Sequence, residues 1–214
     1  MECKICGAPT RKFYDKQFDN DYFYCASCEF IARDEEKIVN QTMEKSTYDQ
    51  HQNTYENEGY VNMFKDFLDR AVMPYVREGK SGLDFGSGPG PVLSQLLSKE
   101  YKYDMAIYDL YYAPQTTYKN TTYDLLTCTE VVEHLKDPLS YFKHFKELVK
   151  PGGVIGIMTL FHPRDDSKFC DWHYRRDMTH IAFFTPKTME KISELLDMEL
   201  LYCDVKRCCS FRVR

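Results

Sequence analysis

Along the chain the apolar positions keep two rhythms. Short apolar runs at 82–86, 103–108, 123–128, 154–160, 198–205 and 208–213 have strand length and end in glycine, proline or charged clusters. Between several of them the apolar residues fall three or four apart, as on one face of a helix. The helix over 138–150 has Asp137 as N-cap and Pro138 in its first turn. It turns Leu139, Phe142, Phe145, Leu148 and Val149 inward and stops at Pro151-Gly152-Gly153. Another opens at Thr185-Pro186 and is expected to bury Met189, Ile192, Leu195 and Leu196. Alternation from Lys80 onward predicts a mostly parallel α/β sheet covered on both faces, with ligands at the carboxyl ends of the strands. The last two strands have no helix between them and are expected to form an antiparallel hairpin.

Upstream the rhythm changes. Residues 33–78 read as helical, most clearly where Tyr60, Phe64, Phe67, Leu68, Ala71, Val72 and Tyr75 share a face. The preceding stretch "YDQHQNTYENEGY" reads either as a solvated linker or as a flap over a cleft, with Tyr48, His51 and Tyr60 as its working residues. Nearer the N-terminus, Cys3-x-x-Cys6 and Cys25-x-x-Cys28 are separated by 18 residues, a spacing that suits a four-thiolate zinc ribbon better than a redox pair. Three units follow: a zinc ribbon over 1–32, a helical cap over 33–78 and an α/β domain over 79–214. Deleting the first thirty residues is expected to leave that domain folded.

Composition narrows the picture. A chain of 214 residues has room for one α/β domain and a small appendage. Its 43% hydrophobic and 29% charged content is that of a soluble globular protein, and no apolar run is long enough to span a bilayer. The N-terminus "MECKICG" has no signal or transit pattern, so a cytoplasmic location is expected. Nine cysteines, an odd number, point to a reducing compartment. A net charge of −5 counts against nucleic acid as a partner, and residues 1–30 hold four basic groups against five acidic ones.

The chemistry starts at "LDFGSGPGP", residues 83–91. A dinucleotide fingerprint fails there, because its third position falls on Pro91. What remains is a Gly86-x-Gly88-x-Gly90 turn between a strand and a helix, where bare amides would suit a carboxylate or phosphate. Asp84 lies just inside the turn, and Asp109 ends the next strand, where a carboxylate can accept both hydroxyls of a ribose. With "IYDL", "YDLLTCTEVVEHL", "LVKPGG", "DMTHIAFFTPKTM" and the terminal hairpin, residues 80–214 resemble the class I S-adenosylmethionine-dependent methyltransferases. The whole chain looks like a bacterial zinc-ribbon group of them. The resemblance implies a Rossmann-like, seven-stranded sheet and S-adenosylmethionine as cofactor. Around that cofactor it places Asp84, Gly86, Gly88, Gly90, Asp109 and, from the flap, Tyr60. Only thirteen residues separate Asp109 from Tyr123, so the third strand and adenine loop are expected to be cut short.

In "TEVVEHL", Glu130, Glu133 and His134 stand at i, i+3 and i+4, on one face if the segment is helical. Glu-x-x-Glu-His resembles the metal-binding motif of small-RNA 2′-O-methyltransferases and of ubiquinone-pathway O-methyltransferases. In those a later histidine completes the site, which here would be His180. Two carboxylates and two imidazoles suit Mg²⁺, Mn²⁺ or Zn²⁺, which would lower the pKa of an acceptor oxygen. The alternatives are His134 or His180 as a metal-free general base, or a motif that only shapes the pocket. The insertion 161–180 is expected to roof the substrate side with Trp172, His173 and Arg176. The expected activity is methyl transfer to a small-molecule acceptor, at oxygen. The rivals are an RNA methyltransferase using its ribbon for recognition and a non-catalytic cofactor-binding scaffold.

Overall fold

The computed structural model describes residues 1–49 and 54–214, and His51 lies outside them. Three short strands open the chain: β1 (Arg11–Asp15), β2 (Asn20–Tyr24) and β3 (Ile31–Arg33). Residues 33–78 are not one helical block. They hold a 3₁₀ turn at Glu35–Lys37, then α1 (Gln41–Tyr48), then α2 (Glu58–Phe67) running into a π-helical turn at Leu68–Val72. The two helices differ in kind. α1 buries no residue, whereas α2 and its π turn bury Val61, Phe64, Phe67, Leu68, Ala71 and Val72.

The main sheet uses β4 (Ser81–Phe85), β5 (Asp104–Tyr108), β6 (Tyr123–Thr129), β7 (Val149–Met158), β9 (Met198–Cys203) and β10 (Cys208–Val213). Its order is β5-β4-β6-β7-β10-β9. The first four strands are parallel, and β10 runs antiparallel to both neighbours, as a hairpin without a crossover helix requires. Among the described residues the sheet has six strands, the abbreviated form of the seven-stranded sheet. The short link between β5 and β6 has room only for a loop and a 3₁₀ turn at Thr116–Asn120.

Side chains alternate across this sheet, so adjacent residues enter different cores. Leu125, Val154 and Cys208 meet α2, its π turn and α3 (Val92–Tyr101) on one face. Leu126, Ile155 and Cys209 meet α4 (Pro138–Leu148) and α6 (Pro186–Leu195) on the other. Asp137 caps α4 by accepting from the Ser140 amide, and Thr185 and Thr188 form a capping box on α6. Leu195 departs from expectation and is 48% exposed, outside the set Thr188, Met189, Ile192 and Ser193 that α6 buries. β7 also starts earlier than expected, so Pro151-Gly152-Gly153 falls inside it, with Gly152 at φ +82° taking the bend.

The cysteine-bearing segment does not stand apart from this core. Its sheet has the order β1-β2-β3-β8, and β8 (Ala182–Phe183) comes from the far end of the chain, with Ile31 opposite Phe183. Cys25, Cys28, Phe30 and Ala32 share one apolar cluster with Leu83, Phe142 and Phe184. A second cluster packs Tyr22 and Ile31 on Phe169 and Phe183, with Trp172 against its edge.

Candidate functional site

β4 delivers the glycine turn to the carboxyl edge of the sheet. Gly86 has φ +82°, and a Cβ there would sit 2.2 Å from Val131, so the position is closed to other residues. Gly88 has φ +67° but borders open space, with nothing within 4 Å of where a Cβ would lie. Gly90 accepts from the Val92 amide at 2.7 Å as α3 begins. The turn's amides are not bare, however. Gly86 and Ser87 donate to the Tyr108 carbonyl, and Gly88 donates to Asp109 at 2.9 Å.

Asp109 is thus a junction between two loops. Its other oxygen accepts from the amides of Tyr111 and Tyr112 at 2.9 and 3.0 Å. Asp84 is buried and accepts from the Thr127 hydroxyl at 3.0 Å and from the Ser94 amide, tying β4 to β6 and to the start of α3. Desolvation pushes its carboxyl up to about 7. Tyr60 stands half-buried in the first turn of α2, and its phenol is raised to about 12 by burial and then by the charges of Asp84 and Glu130. Tyr48 on α1 meets His134 edge-on, ring centroids 5.2 Å apart, and the phenols of Tyr111 and Tyr112 donate to Glu44 and Asp49 at 2.7 and 2.6 Å. Those bonds lay α1 across the loops that follow β5 and β6.

At the end of β6 the chain is not α-helical. Glu130 takes a left-handed φ of +53°, and a 3₁₀ turn follows at Val132–His134. Glu133, His134 and His180 nevertheless converge, each offering a ligand atom within 4.8 Å of the others. Glu130 is not in that group. It is linked to it through Tyr174, whose hydroxyl contacts Glu130 at 2.9 Å and also Glu133. One phenolic proton cannot satisfy two carboxylates, so a proton on Glu133 completes the chain by donating to the phenol oxygen. Burial, with Glu130 beside it, raises Glu133 to about 8. The imidazoles are fixed by carbonyls: His134 Nδ1 lies 3.1 Å from the Thr179 oxygen and His180 Nδ1 2.7 Å from the Tyr174 oxygen. A carbonyl only accepts, so Nδ1 carries the hydrogen and Nε2 the lone pair in the neutral rings. Burial and the neighbouring His134 depress His180 to about 3.

The roof segment reaches this cluster through Tyr174, a residue the sequence placed in the roof without a role. His173 and Arg176 are exposed, and Trp172 packs against Phe169, Tyr174 and Phe183. Arg175 points the other way, fully buried and paired with Asp15 at 3.0 Å, with Gln17 accepting from it at 2.7 Å. No local pattern marks Tyr174, because its partners come from the turn after β6 and its neighbour Arg175 is tied to α5 (Asp166–Asp171) and to Asp15.

The four N-terminal cysteines form the other cluster, all Sγ atoms lying within 4.8 Å of one another. Cys3–Cys28 and Cys6–Cys25 are each 3.5 Å apart. A zinc tetrahedron with Zn–S bonds of 2.3 Å has edges of about 3.8 Å. The set therefore fits, and it could hold a zinc ion.

Comparison with known proteins identifies a family. The methyltransferase-domain family matches residues 50–202. A ubiquinone biosynthesis O-methyltransferase from Vibrio vulnificus is 33% identical over 105 residues, covering 38% of this chain and 44% of that protein. The Vibrio cholerae serotype O1 enzyme of the same name is 51% identical over 39 residues, 18% of this chain and 16% of that one. The chain thus spans less than half the length of these relatives. Among solved structures, an O-methyltransferase family protein from Burkholderia thailandensis aligns with a TM-score of 0.51 at 12% identity, over 79% of this chain and 62% of its own. An O-methyltransferase family 2 protein from Planctomyces limnophilus gives 0.52 at 10% identity, over 74% and 62%. No helix among the described residues is long and apolar enough to cross a membrane. With the family model matched over residues 50–202, the chain belongs to the methyltransferase-domain family.

Proposed function

We infer that the chain methylates an oxygen of a small-molecule acceptor, with Glu133, His134 and His180 on the acceptor side. The observation that carries this reading is their convergence beside the glycine turn. Asp84, Gly86, Gly88, Gly90, Asp109 and Tyr60 line the cofactor side, and the open space against Gly88 is room for the methionine end of the donor. The O-methyltransferase names of the Vibrio relatives support oxygen as the acceptor atom. A net charge of −5 supports a small molecule over RNA.

One carboxylate and two Nε2 lone pairs fit a divalent ion, with the histidines oriented by the Thr179 and Tyr174 carbonyls. Such an ion, when bound, supplies the Lewis acidity that makes an acceptor hydroxyl easier to deprotonate. The chain's own residues do the rest. Tyr174 holds both carboxylates in place, and the buried walls at Val132 and Ile181 keep water from the acceptor.

The test is His180→Ala, read by turnover, by Mn²⁺ binding and by calorimetry with S-adenosylhomocysteine. Loss of turnover and Mn²⁺ with the cofactor product still bound is the expected result. Turnover lost in a protein whose wild type never took up Mn²⁺ would assign the imidazole as a base. Full turnover in the variant would remove the cluster from the reaction.

A further inference from the structure

Between α2 and the β9–β10 hairpin lies a half-open cavity of about 240 Å³. Met63, Met158 and Cys208 give it an apolar lining, while Arg70, Lys206 and Arg207 set three cations against Asp66, with Asp204 also pairing with Arg70. Those cations are not equivalent. Arg70 is engaged by Asp66 at 2.7 Å and by Asp204 at 3.4 Å, and Lys206 is exposed. Arg207 is half-buried, and Nη1 reaches only the Met63 sulfur at 3.4 Å. Its Nε is buried with no hydrogen-bond partner among the described residues, and the nearby acidic charge it acts on is Glu130.

A guanidinium keeps its charge at any working pH, and holding one out of water without an acceptor is costly. The backbone holds it there all the same. The Arg207 amide donates to Asp204 at 2.7 Å, and its carbonyl accepts from Thr159 at 3.0 Å, pinning the hairpin turn to the end of β7. Met158 lines the cavity, and its carbonyl accepts from the amide of Glu130, the residue that Tyr174 links to Glu133.

We propose that Arg207 selects an anionic methyl acceptor: a carboxylate or phosphate group of that molecule occupies the cavity against Arg207 and Lys206. The acceptor's hydroxyl then faces Glu133, His134 and His180, so this assignment rests on the acceptor-side reading above. The guanidinium fork matches either anion with two parallel hydrogen bonds, and the methionines and cysteine pack the body that carries it.

Calorimetry on the full chain, saturated with S-adenosylhomocysteine, tests this with benzoate, inorganic phosphate and the uncharged control benzamide. Saturable binding of one of the anions, without benzamide, is expected, and the tighter of the two tells carboxylate from phosphate. Arg207→Gln should weaken that binding at least tenfold while the cofactor product still binds. Where that variant loses the cofactor product as well, Arg207→Lys decides, with weakened anion binding at unchanged cofactor affinity as the supporting result. Wild-type anion affinity in the deciding variant, equal binding of benzamide, or no saturable anion binding would overturn the proposal. His180→Ala, run alongside, should keep the anion. Turnover surviving in that variant counts against the acceptor-side cluster, whereas failure of the anion titrations counts against Arg207 alone.

Discussion

At the scale of single residues, Asp84 and Asp109 show what a carboxylate at the glycine turn does before any ligand arrives. Burial holds the Asp84 carboxyl up at about 7, well above the ordinary aspartate value of 3.8. The native state therefore holds more protons than the unfolded chain across that window, and stability falls as pH rises through it, by up to about 1.4 kcal/mol per pH unit. The contribution is complete below pH 3.8 and gone above about pH 7. Asp84→Asn should flatten this slope, measured as denaturation midpoints between pH 4 and 7. Asp109→Ala removes an acceptor for three amides as well as the expected ribose contact. Affinity for S-adenosylmethionine should fall at least roughly tenfold by calorimetry, about 1.4 kcal/mol. Unchanged affinity would take Asp109 out of the site. Both aspartates, and the glycines between them, were legible in the sequence because their meaning is local, a turn and two strand ends. Tyr174 was not, since only folding brings it between Glu130 and Glu133.

At the scale of elements, the strands and the capped helices followed from periodicity, and the missing third strand from a link too short to build it. What periodicity cannot show is a two-residue strand. β8 has too few residues for any pattern, yet it completes the ribbon's sheet. The same holds for Arg175, which reads as one basic residue of a polar loop and is in fact buried against Asp15. Breaking that pair leaves a charge without its counter-ion, so Asp15→Ala should cost about 3–5 kcal/mol in chemical denaturation. For the cysteine turns, elemental analysis of protein purified without added metal should find about one zinc per chain. Cys28→Ser should lose it.

At the scale of the whole molecule, β3 pairs with β8, and the cysteine-bearing segment and the main sheet share one apolar cluster. Arg33 is fully buried between them, donating to the Met178 carbonyl at 2.5 Å and to the Tyr22 hydroxyl at 3.1 Å. Its amide donates to Ile181, whose own amide donates to the Glu133 carbonyl, so backbone bonds run from β3 to the acceptor cluster. A chain starting at Asp34 should therefore show no cooperative thermal transition by calorimetry. A folded remainder that binds S-adenosylmethionine would restore the boundary at residue 32. The Ile31–Phe183 pairing has a further consequence, in time. β3 leaves the ribosome roughly 150 residues ahead of its partner, an interval on the order of ten seconds at 5–20 residues per second. Throughout that interval its outer edge is open, and an open strand edge templates aggregation. All four cysteines precede Glu29, so a metal ion can set both turns while the rest is still being made. If the four thiolates take zinc, its supply bears on the nascent chain, at the stage when the half-built sheet has nothing else to hold it.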